Sequence, residues 1–76
     1  MHNAEVPGAG FVARKLVLRY KEFYGNPSNL IPRIALACAK AVYRPGITIE
    51  QWTHDALEAF ATYLGDITLA AKPRER

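Results

Sequence analysis

Two breaks set the frame for this chain. Gly25-Asn26-Pro27 and Pro45-Gly46 combine the residues that end helices and begin turns. They separate three segments, each long enough for several helical turns. A helix advances about 100° per residue, and each segment is tested against that period. In the first, Val12, Ala13, Leu16, Val17, Tyr20, Phe23 and Tyr24 share one arc. Phe11, Arg14, Lys15, Leu18, Arg19, Lys21 and Glu22 share the other. Residues 16–20 also alternate in part, as a strand would. The helical pattern runs through the whole segment and ends on Gly25, so a helix over about 11–24 is expected.

The second segment opens in the turn-rich Asn26-Pro27-Ser28-Asn29, with Ser28 or Asn29 as a cap. Pro32 is tolerated in a first turn, where its missing N–H would have had no partner. A helix over about 30–44 is expected. Arg33, Ala37, Lys40 and Arg44 form a narrow stripe, and the rest of its circumference is apolar or small. That pattern predicts a central, buried helix. Its surplus apolar residues, Ile31, Leu36 and Tyr43, are candidates for contact with a partner or a second copy of the chain.

The third segment has the strongest local signal. Thr48 and Gln51 make a capping box, and Ile47 with Trp52 fits the accompanying hydrophobic staple. Glu50 sits where the helix dipole favours negative charge. A helix over 49–64 should end at Gly65. Asp66 can cap one further turn over 66–71. The expectation is an all-α fold: a small bundle of three main helices spanning residues 11–71. Residues 1–10 read as a flexible arm and 72–76 as a charged, flexible tail.

Charge and size bound the function. The chain has 76 residues, half of them hydrophobic, and a net charge of +3. That charge is unevenly placed. Residues 1–46 hold seven basic against two acidic side chains, a balance of +5. Residues 47–71 hold four acidic side chains and no Lys or Arg. Two surfaces of opposite sign are therefore expected. No apolar run reaches the roughly 18 residues of a membrane span. Residues 1–10 lack the basic and apolar regions of a secretory signal, and Cys38 has no intrachain thiol partner. A reducing, cytoplasmic setting is the expectation.

Catalytic and metal patterns are sparse. Gly8-Ala9-Gly10 has neither a preceding strand nor a following Lys-Ser/Thr, so it matches no phosphate loop. No Cys or His pair has the spacing of a structural zinc site. His54 and Glu58 are four residues apart on a polar face, the arrangement of an ordinary solvated pair. Cys38 reads as a small buried hydrophobe. No enzyme activity, cofactor or metal is expected.

What remains is the outside of the bundle. Phe11 and Leu18 lie on the outer arc of the first helix amid Arg14, Lys15, Arg19 and Lys21. An apolar centre with a charged rim resembles an interface. The expected function is a non-enzymatic accessory, regulatory or inhibitory protein that docks on a protein partner through these six residues. The alternative is nucleic-acid binding, with phosphates met by that face and by the Arg33, Lys40 and Arg44 stripe. The stripe lacks Asn, Gln, Ser or Thr to read base edges, which weakens sequence-specific recognition. Attachment of the basic first helix to a membrane surface ranks below both, because its apolar arc is better used as a core stripe.

Overall fold

The computed structural model describes residues 6–71. Helix α1 runs Ala9–Tyr24, α2 Leu30–Ala41 and α3 Ile49–Leu64, followed by a 3-10 turn over Ile67–Ala70. The fold is an all-α three-helix bundle, with no strand among the described residues. Every pair of helices packs together. Val12, Leu16, Ala35, Ala39, Trp52, Ala56 and Phe60 form the heart of one core. The alanines of α2 and α3 bring the backbones close enough for Trp52 and Phe60 to fill the centre.

Helix α3 has the expected bounds, and its cap explains them. Thr48 Oγ1 accepts from the Gln51 N–H at 3.1 Å. Gly65 adopts the left-handed conformation at φ 75°, and the Asp66 N–H returns to the Ala61 carbonyl at 2.9 Å. Half of the capping box is absent, because the Gln51 amide donates to Asp55 instead, at 2.8 Å.

The other two helices shift from expectation. Helix α1 begins at Ala9, so Ala9 and Gly10 of the expected arm are helical. Gly8 precedes it at φ 89°, pressed against Trp52; a Cβ there would lie 3.3 Å from the indole ring. The start of α1 thus combines a local turn, with the Ala9 N–H donating to the Val6 carbonyl at 3.0 Å, and a contact with α3, distant in sequence. Helix α2 stops at Ala41 rather than near Arg44. Arg44 precedes Pro45, whose ring disfavours helical backbone in the residue before it. The chain loosens a turn earlier, with the Tyr43 N–H donating to the Lys40 carbonyl at 3.3 Å. The expected tail, 72–76, lies outside the described residues, as do residues 1–5 of the arm.

Helix α2 is not a buried central helix. Only Ile31, Ala35 and Ala39 of it are buried. Ile31 points into the core, Leu36 is half-buried, and the Tyr43 ring packs at a 53° tilt against Trp52 with ring centroids 4.8 Å apart. Ile31 and Leu36 are thus not its open side, while Tyr43 stays exposed beyond the helix end. The open side carries Leu30, Ile34, Ala37, Cys38 and Ala41.

The 3-10 turn has a clear task. Asp66 caps it by accepting from the Thr68 N–H at 3.2 Å, and Leu69 is fully buried. The turn packs on α3 and α1. Arg19 reaches across from α1, where its Nε donates to the Leu69 carbonyl at 2.9 Å and its Nη2 donates to the Ala71 carbonyl.

Candidate docking face

The outer arc of α1 points away from the core. Phe11 and Leu18 are 54% and 53% exposed, seven residues apart on one side of the helix. Arg14, Lys15, Lys21 and Glu22 are all exposed around them. The Lys15 ammonium sits 5.0 Å from the centre of the Phe11 ring, a cation–π contact that keeps the apolar and basic parts of the face together.

Arg19 differs from its neighbours. Its side chain is only 14% exposed and makes the two carbonyl bonds to the 3-10 turn. The guanidinium also lies 5.3 Å from the Phe23 ring centre and 3.7 Å from the Glu22 carboxylate. Arg19 stands at the edge of the arc, and its donors are largely used within the fold. The six side chains that face outward together are Phe11, Arg14, Lys15, Leu18, Lys21 and Glu22.

The second basic stripe is shorter than expected. Arg33 and Lys40 are exposed on α2. Arg44 lies beyond the helix end and pairs with Asp55 of α3 at 3.4 Å. That bond ties the α2–α3 connection to α3.

His54, Asp55 and Glu58 converge on the polar side of α3, with ligand-type atoms within 4.8 Å of one another. His54 Nε2 is 3.6 Å from Glu58 and His54 Nδ1 is 3.3 Å from Asp55. Asp55 already accepts from Gln51 and Arg44. Its pKa is lowered first by the Gln51 hydrogen bond, then by His54, with help from Arg44. A lowered carboxyl pKa marks interactions present in the ionised form and lost as pH falls through that pKa. Gln51→Ala should therefore raise the Asp55 pKa towards the ordinary carboxylate value in an NMR pH titration. An unmoved titration would leave His54 and Arg44 as the groups that hold it. The cluster is a solvated hydrogen-bond network on a helix surface.

Cys38 is half-buried, and burial pushes its thiol pKa up. A raised thiol pKa favours the protonated form near neutrality. It lines a groove between α2 and α3 with Leu30, Ile34, Ala37, Ala59 and Tyr63. The groove holds about 580 Å³. Tyr63 belongs to the apolar arc of α3 in sequence, yet it is 69% exposed. Sequence periodicity places it beside the core stripe but cannot say that nothing covers that flank. The surplus apolar circumference of α2 was the one available signal.

Comparison with protein-family models, with curated proteins and with solved structures finds no match to this chain.

Proposed function

We propose that the protein is a non-catalytic binding module that docks on a protein partner through the outer face of α1. It would serve as an accessory, regulatory or inhibitory factor. The observation that carries this reading is the exposure of Phe11 and Leu18 on an arc ringed by Arg14, Lys15 and Lys21. Two large apolar side chains that contribute little to their own core are candidate anchors for another surface. The three cations favour a partner with an acidic rim and speed encounter with it.

Phe11→Asp and Leu18→Asp test the face. Both positions are exposed, so melting temperature should stay close to wild type. Loss of an interface anchor typically costs about 2 kcal/mol or more, roughly 30-fold in affinity. A protein captured by the wild-type chain should be lost by both variants. Retention by both, with folding intact, would remove the α1 face from the reading. Nucleic acid is the competing ligand, because Arg14, Lys15 and Lys21 with Arg33 and Lys40 could contact phosphates. Titration against random-sequence DNA at increasing salt separates the two. Tight binding that falls steeply with salt, with no captured protein, would favour phosphate contact.

A further inference from the structure

A three-helix bundle has three surface grooves, and this one treats two of them differently. The 3-10 turn packs on α1 and α3 and buries Leu69 completely. Among the described residues, nothing plugs the α2–α3 groove in this way. It is floored by Ala37, Ala41, Cys38 and Ala59, with Leu30 57% exposed and Tyr63 69% exposed at its open end. Small residues on the floor allow another helix to approach closely, and the two large side chains would be covered by it.

The edges of the groove carry opposite charge. Arg33 lines it directly, and Lys40 continues that edge two turns along α2. On α3, Asp55, already held by Gln51 and Arg44, stands one turn before the lining residue Ala59, and exposed Glu58 lies one turn after Asp55, beside His54. A basic edge on α2 thus faces an acidic edge on α3 across an apolar floor. This pattern is self-complementary under one operation. A two-fold axis running along the groove lays α2 of each copy over α3 of its partner, basic edge on acidic edge, twice. A two-fold axis across the groove would stack α2 on α2 and α3 on α3, with like charges opposed.

We propose that the α2–α3 groove is a homodimer interface, filled by the same groove of a second copy related by a two-fold axis along it. Such an isologous contact uses every favourable pairing twice. The dimer does not depend on the α1 face, which lies on the opposite side of each bundle. It would leave that face open on both copies, so docking through α1 would become bivalent.

Sedimentation equilibrium on the full chain tests this. The wild type should shift with concentration from 8.5 kDa to twice that mass. Arg33→Glu with Lys40→Glu makes both edges acidic. Glu58→Lys with Thr62→Lys makes the α3 edge basic like α2. All four positions are exposed, and far-UV circular dichroism checks that the fold is kept. Each double variant alone should be monomeric. Mixed in equal amounts, the two should recover the dimer mass, because every α2 edge then meets an α3 edge of opposite sign. The wild-type cysteine supplies a second reading, since Cys38 lies in the groove. Its alkylation rate should fall as concentration rises through the dimer transition. A wild type that stays monomeric at all concentrations, variants that dimerise alone, a mixture that stays monomeric, or a Cys38 rate indifferent to dimerisation would each overturn the proposal.

Discussion

Trp52→Ala is expected to unfold the chain. Trp52 is 3% exposed and joins three parts of the fold at once. Its ring supports Gly8 at the start of α1 and packs at a tilt against Tyr43 in the α2–α3 connection. Its indole Nε1–H donates to the Ala39 carbonyl at 2.8 Å. That carbonyl lies in the last turn of α2, where the helix leaves acceptors without an intrahelical donor. Removing the side chain opens a cavity under all three contacts, a loss of about 3–5 kcal/mol for an aromatic-to-alanine change in a core. It also leaves a buried acceptor without its donor. Domains of this size sit near the low end of the usual range of roughly 5–15 kcal/mol. Far-UV circular dichroism should show helix content lost or a melt moved far below wild type. Trp52→Phe keeps most of the packing but not the donor, and should cost about 1–3 kcal/mol. A wild-type melt for Trp52→Ala would overturn this account of the core.

The residues differ in how openly they announce these roles. Helix α3 could be read end to end because its signals are local: Thr48 caps it, Gly65 ends it, and its arcs do not interleave. The bounds of α1 and α2 depended on less local facts. Gly8, at the start of α1, lies against Trp52, more than forty residues later. Arg44 falls outside α2 because it precedes Pro45, which marks the break in the sequence but not the residue at which the helix loosens before it. The outer face of α1 was legible from periodicity alone, except for Arg19. A long side chain at the edge of an arc can reach either way, and its acceptors lie fifty residues away. The α2–α3 groove was the least legible part. Periodicity identifies which residues are apolar, whereas the order of packing decides which apolar flank is covered. Here the 3-10 turn settled beside α1 and α3 and left the flank of Tyr63 and Leu30 open.

Leu69→Ala should produce the second large loss, about 2–5 kcal/mol, from a turn only four residues long. Such a short element has almost no stability of its own, since a few residues cannot offset the cost of nucleating a helix. It is held by what it buries and by what reaches it from outside. Leu69 is fully buried, and Arg19 grips the carbonyls of Leu69 and Ala71. Losing the leucine removes the apolar contact that holds the turn against the bundle. The faces of α3 and α1 under the turn would then meet water. Arg19→Ala should cost less, about 1–3 kcal/mol, because water can replace its donors at partly exposed carbonyls. The two losses should not add. Once the turn has detached, Arg19 keeps only its contacts to Glu22 and Phe23 within α1, so the double variant should fall short of the sum by about 0.5–3 kcal/mol. Urea denaturation of the four species measures all three quantities. Strict additivity would mean that Arg19 and Leu69 act separately, and a wild-type midpoint for Leu69→Ala would mean that the turn is an ornament on a bundle already complete without it.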